Sequence, residues 1–332
     1  MSHEDLTVAD LGEDALLAMV FPRLPAGAAT VLGPGDDAAL VSAPDGRVVV
    51  STDVLVEGHH FRREWSTGED VGWRAAVQNL ADVAAMGARP TALVVGLVCP
   101  ADLPVGWVLD LADGMARACG TSIGVVGGDL SGGGEVVVAV TVLGDLDGRA
   151  PVRRDGARAG DVVAHAGVRG RSAAGLALLD AGADRVRFAD LVRAYRRPVA
   201  PLAAGVAAGE AGATAMLDVS DGLLRDAGRL ARASGVVLDL APTAEAFPAD
   251  LAALAAAAAH LGVSAEPWVL GGGEDHGLLA TFPADVLLPP EFRAVGRVLA
   301  VGDPAASGAP AGAVLVAGAA PAVGPGWDHF RR

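Results

Sequence analysis

The residues of this 332-residue chain best suited to chemistry are carboxylates set among glycines. They lie in GPGDDAAL (Gly33 to Leu40), VGGDLSGG (Val126 to Gly133), LDVSDGLL (Leu217 to Leu224) and GGGEDHGLL (Gly271 to Leu279). Asp53, in STDVLVEGHHF, and Asp82, in QNLADVAAMGARP, belong with them. Carboxylate oxygens at tight backbone turns suit hard divalent cations, which take oxygen ligands. Glycine lets backbone N–H groups come close to phosphate oxygens. The combination points to a metal-loaded site for a phosphorylated nucleotide.

Each cluster taken alone also has a plain structural reading. Asp36 and Asp37 repel each other unless a cation lies beside them, or they form an exposed acidic turn. Asp53 ends an apolar run, where α/β proteins place ligands, or it caps a turn. Asn79 and Asp82 are spaced to share a helix face among Ala, Val and Leu, where an aspartate needs a partner, a metal or solvent. Asp129 is a ligand or a turn residue. Ser220 and Asp221 either cap the following helix or leave its N-terminus for a phosphate or metal. Glu274 and Asp275 follow three glycines, a costly run unless something approaches the backbone. Arg153 and Arg154 are a solvated pair or a phosphate clamp. Trp327 anchors the tail or stacks on a flat ring. His59 and His60 lack the further Cys or His spacing of a zinc site. The conjunction of so many acids at turns and on one helix face is the stronger signal.

These groups must be positioned by helices and strands. Periodicity and caps predict helices over 69–86, 104–120, 172–180, 198–208 and up to Ser234, and an alanine-rich helix after Pro248. A helix-starting box is expected at Asp10 and Glu13. Strands are expected over 38–42, 47–52, 91–98, 123–126, 135–143, 161–166, 213–217, 236–240 and 278–282, the first two joined by the turn at 43–46. The Gly- and Arg-rich segment 144–160 predicts a boundary between domains 1–148 and 149–332. Small apolar residues dominate a composition more than half apolar, which favours α/β layers.

The balance of 25 basic against 40 acidic residues argues against a nucleic-acid binder, which needs a basic face. The chain contains no lysine, so neither a Walker phosphate loop nor a kinase strand lysine is available. Any ATP phosphates must be met by metal ions, arginines and backbone amides. Cys99 and Cys119 form no CxxC pair, and a cytoplasmic location is expected. No apolar run reaches the length of a membrane span, and the acidic start lacks a signal-peptide core.

In order, GDDAAL, STDVLVEGHHF, NLADVAAMGARP, GGDLSGG, DVSDGLL and GGGEDHGLL resemble the thiamine-monophosphate kinase family, among the aminoimidazole ribonucleotide synthetase-like ATP enzymes. The resemblance runs from about Gly33 to Phe330. It implies an α/β (α+β) fold of two domains: an N-terminal ATP- and Mg-binding domain whose strands form a homodimer, and a C-terminal α/β domain completing a site between them. It implies direct in-line transfer from ATP, the co-substrate, to thiamine monophosphate, giving thiamine diphosphate with several Mg²⁺ ions. Carried over by motif, Asp36, Ser51, Thr52, Asp53, Asp82, Asp129, Asp218 and Asp221 are metal ligands, Asp129 and Asp221 being the carboxylates nearest the chemistry. Gly128, Asp129, Arg154 and Ser220 touch ATP; His60, Glu274 or Asp275, and Trp327 face thiamine monophosphate. No single base is implied.

One position departs from the family pattern, which has Tyr-Glu after GGED where this chain has His276 and Gly277. The nearest alternative is a sibling ATP enzyme of the same fold, such as aminoimidazole ribonucleotide synthetase; the siblings that form selenophosphate or mature hydrogenase are disfavoured, since they use terminal cysteines and both cysteines here are mid-chain. A non-catalytic nucleotide or metal sensor is the alternative from another class.

Overall fold

The computed structural model describes residues 6–35, 38–324 and 326–327. The chain divides into two compact units, one of residues up to 83 with 89–148, the other of 84–88 with 149 onward.

In the first unit, Thr7 caps the short helix α1 (Val8–Leu11) in a reciprocal box with Asp10, three residues upstream of the expected box. Helix α2 (Glu13–Val20) follows. Strands β1 (Thr30–Leu32) and β2 (Leu40–Val41) pair with each other, so the expected hairpin between 38–42 and 47–52 does not form. Next come β3 (Val49–Val56), α3 (Gly68–Ala85), β4 (Arg89–Cys99), α4 (Val105–Cys119), β5 (Gly124–Gly132) and β6 (Val137–Asp145). The sheet order is β3-β6-β4-β5, with β4–β5 parallel and the other pairs antiparallel.

Period-two burial gives this sheet two unlike faces. Leu93, Val125, Val138, Val140 and Val142 are buried on one side. Val50, Val54 and Val94 on the other are 62%, 44% and 37% exposed, an apolar surface with no cover among the described residues. Helix α3 packs on α4 backbone to backbone: a Cβ at Gly72 would lie 2.0 Å from the Leu111 carbonyl, and one at Gly114 2.1 Å from that of Glu69. Glycine is therefore required there, and the contact fixes the helix that carries Asn79 and Asp82.

The second unit contains β7 (Val162–Ala166), α5 (Arg171–Asp180), α6 (Ala189–Arg196), α7 (Leu202–Glu210), β8 (Ala215–Val219), α8 (Leu223–Ser234), β9 (Val237–Leu240), α9 (Thr243–Ala246), α10 (Pro248–Leu261), α11 (Glu266–Gly271), β10 (Gly277–Phe282), β11 (Phe292–Leu299) and β12 (Val314–Val316). Its six strands run in the order β12-β9-β11-β7-β10-β8, with only β12–β9 parallel. Helix α8 buries Leu223, Leu224, Ala227, Leu230 and Ala231, the stripe of an amphipathic helix. That stripe joins Leu217, Leu238, Val269 and Leu279 in one core, which holds the start of α8 against the end of β8. Among the described residues, no helix is long and apolar enough to cross a membrane.

Candidate functional site

In the first unit, α3 and β3 bring four polar residues together. The Ser51 hydroxyl donates to Asp82 Oδ2 at 2.7 Å. The Asp53 backbone N–H donates to Asn79 Oδ1 at 3.0 Å, while Asn79 Nδ2 donates to the Ala75 carbonyl at 2.9 Å. Asp53 lies inside β3 rather than at its end, opposite Val140. Thr52 points to the sheet's other face; its hydroxyl donates to the Val140 carbonyl at 2.9 Å and accepts from Thr141 at 3.2 Å.

Asp129 stands apart from that group. It lies within β5, not after a strand as expected, and pairs with Gly96 on the opposite edge of the sheet from β3. Register puts it on the face of Thr52 and Val54. Three strand spacings separate β3 from β5, on the order of 14 Å. Asp129 is exposed and accepts from Ser131 Oγ at 3.0 Å. Gly128 meets a steric demand: a Cβ there would lie 2.0 Å from the Val95 carbonyl. Beside Gly127, Gly128 and Asp129 is an apolar cavity lined by Leu16, Phe21, Leu97, Val108, Met115 and Leu130. This cavity has no signature in the sequence, because its walls come from α2, α4 and two strands and only their packing assembles it.

His60 accepts from the Val56 N–H through Nδ1 at 3.0 Å, which leaves the proton on Nε2. Asp36 lies outside the described residues.

In the second unit, three motifs far apart in sequence converge. Asp218 is the penultimate residue of β8, and the chain turns through Ser220 and Asp221 into α8. The Glu274 N–H donates to the Ser220 carbonyl at 2.8 Å, and the Trp327 N–H to the Asp221 carbonyl at 2.8 Å. Neither Ser220 nor Asp221 caps α8; Gly222 is the cap residue and makes no side-chain bond. The Asp221 carboxylate instead faces Arg229 Nη2 at 2.7 Å and Arg225 Nε at 3.8 Å. Behind it, Asp226 accepts the Asp221 N–H at 2.9 Å, and Arg229 Nη1 lies 2.6 Å from Asp226. Burial pushes the Asp226 pKa up to about 6. Trp327 is 56% exposed beside this turn. Arg154 is exposed, and its backbone carbonyl accepts from Ser234 Oγ at 3.0 Å.

The glycine loop separates the acidic pair. Glu274 adopts φ +68° and keeps its carboxylate 37% exposed. Asp275 turns inward: its oxygens accept the Gly170 N–H at 2.5 Å and the Ser172 N–H at 2.8 Å, holding the start of α5. Burial raises its pKa, partly offset by Arg169. Of the two, Glu274 is the one placed to meet a ligand. His276 stands between two site carboxylates, with Nδ1 3.6 Å from Asp218 and Nε2 3.9 Å from Glu274.

Among the described residues, no three His, Cys, Asp or Glu side chains converge as a ready metal cage. The donors are nevertheless all oxygen, and magnesium is held by one or two carboxylates together with water and substrate phosphates, so the residues present fit it.

Residues 35–146 match the family model of AIR synthase related protein, N-terminal domain, which sets the class of the first unit. The chain is 52% identical to the thiamine-monophosphate kinase of Mycobacterium tuberculosis over 300 residues, covering 90% of this chain and 88% of the relative. It is 44% identical to that of Corynebacterium glutamicum, covering 88% and 87%. The solved structure of AaThiL complexed with AMPPCP and TMP superposes with a TM-score of 0.76 at 32% identity, covering 98% of this chain and 99% of that one. The chain belongs to the thiamine-monophosphate kinase family.

Proposed function

We infer that this chain transfers the γ-phosphoryl group of ATP to the phosphate of thiamine monophosphate, giving ADP and thiamine diphosphate. Its 52% identity to a thiamine-monophosphate kinase supports the reading. The observation that carries it is the convergence of Ser220–Asp221, Glu274 and Trp327 through two backbone hydrogen bonds. One patch thus offers carboxylates at a helix N-terminus, an exposed carboxylate and an exposed aromatic ring.

Phosphoryl transfer needs positioning and charge neutralisation more than a strong base. The apolar cavity beside Gly127 to Asp129 suits an adenine ring, with the β5 backbone alongside for the phosphates. Arg154 and the α8 N-terminus, with Ser220, suit phosphate oxygens. His60, Glu274 and Trp327 serve the acceptor, the indole stacking on its pyrimidine or on the cationic thiazolium. Magnesium, when bound, supplies positive charge between two polyanions that otherwise repel. Ser51, Thr52, Asp53, Asp82, Asp129, Asp218 and Asp221, with Asp36, are the residues that would hold it.

The chain acts as a homodimer through the open apolar face of its first sheet. Val50, Val54 and Val94 line that face, and β3 and β5 are its open edges. Pairing those edges between two copies would bring Asp129 of one toward Thr52 of the other, on the same face. The enzyme works in the cytoplasm, where both substrates are available and its two thiols stay reduced.

The test is ATP consumption with thiamine monophosphate, with thiamine, and with no acceptor. Consumption that requires thiamine monophosphate and yields matching thiamine diphosphate supports the reading. Tight ATP binding without product would favour a nucleotide sensor.

A further inference from the structure

Arg169 is the largest fully buried side chain of the described residues, at 0% exposure. Its guanidinium Nε donates to the Val269 carbonyl at 3.3 Å, and its Nη2 donates to the Gly272 carbonyl. These carbonyls belong to the end of α11 and the residue after it, where a helix leaves acceptors without partners. Nη1 lies 4.0 Å from Asp275, and the Arg169 backbone N–H donates to Asp250 at 2.9 Å. Burial lowers the Arg169 pKa, and the charges of Asp275, Asp226 and Asp250 work against that.

The loop from Gly272 to Asp275 is therefore held at both ends. Arg169 fixes the Gly272 carbonyl, and the backbone at the start of α5 fixes the Asp275 carboxylate. Between them lie Gly273, whose Cβ would meet the Ser220 carbonyl at 2.3 Å, and Glu274, bonded to that same carbonyl. The position of Glu274 follows from the two clamps. A fork-shaped guanidinium can donate to both carbonyls at once while its third nitrogen faces the Asp275 carboxylate, which a point-charge ammonium cannot.

We propose that Arg169 is a positioning residue for the acceptor side of the site, holding the glycine loop so that Glu274 stands ready before thiamine monophosphate binds. The proposal rests on the thiamine-monophosphate kinase reading. In Arg169→Lys and Arg169→Gln, the KM for thiamine monophosphate rises about tenfold or more while the KM for ATP stays within about twofold. A purely structural role would instead lower the active fraction, with both KM values unchanged, and that result overturns the proposal.

Should neither variant fold, hydrogen exchange on the unsubstituted protein decides. Amides 272–275 are then protected without substrate as well as those at the start of α5. Exchange of that segment within seconds in the free protein, with α5 protected, contradicts the proposal. Because exchange is read without turnover, a protein with no kinase activity would sink the functional reading and still leave the role of Arg169 measurable.

Discussion

The imidazole of His165 occupies the space that a side chain at position 277 would need. A Cβ at Gly277 would lie 2.7 Å from His165 Nε2 and 2.7 Å from the Ala166 carbonyl. The packing therefore calls for glycine at this position: β7 carries a fully buried histidine, and β10 faces it with Gly277. The preceding His276, 3% exposed, keeps a polar ring between Asp218 and Glu274.

Gly277→Ala is expected to destabilise the protein by about 1–3 kcal/mol through overpacking. Adding His165→Ala recovers only part of this, because the Ala166 carbonyl remains in place. Urea midpoints of the single and double variants check it; an unchanged midpoint in Gly277→Ala would count against the steric account.

His165 makes stability depend on pH. Burial, with Arg169 and Arg293 nearby, holds its pKa well below 6.5. The unfolded chain therefore binds more protons once pH falls below about 6.5, and the stability present above that value is lost at up to about 1.4 kcal/mol per pH unit. Urea titrations at pH 7.5 and 5.5 should show this loss in the unsubstituted protein and a smaller one in His165→Leu. Equal losses in both would assign the effect to other groups.

Asp53→Ala and Asp129→Ala are each expected to reduce turnover by about a hundredfold or more while leaving the fold intact, as the metal-holding role proposed for them requires. Steady-state rates at saturating ATP and magnesium, with circular dichroism as the fold check, measure this. Rates near those of the unsubstituted enzyme in both variants would remove these residues from the metal site.

Trp327→Ala should raise the KM for thiamine monophosphate about five- to tenfold, the worth of one ring–cation stack, with the KM for ATP little changed. No change in the former would place the indole outside the acceptor site.

Much of the fold was legible in the sequence. Helices α3, α4 and α8 and strands β7 to β10 lie within a few residues of their expected spans because apolar periodicity and glycine stops marked them. Asp53 and Asp129 were misplaced to strand ends: aspartate and glycine disfavour strands, but pairing with β6 and β4 overrides local propensity. Strand β11, with Arg293 and Arg297 among its apolar residues, was not foreseen. The candidate residues were legible as types in turns, whereas which of Glu274 and Asp275 faces outward was not. That choice depends on Gly170 and Ser172, about a hundred residues away, offering N–H groups to Asp275. The apolar cavity beside Gly128 likewise exists only after packing.

The most direct test of the central claim is a phosphorus NMR time course of ATP, thiamine monophosphate and magnesium with the purified protein. Loss of the ATP γ signal matched by the two coupled signals of thiamine diphosphate is expected, with arrest of both when EDTA removes the metal. Release of inorganic phosphate alone, or conversion unaffected by EDTA, would contradict it.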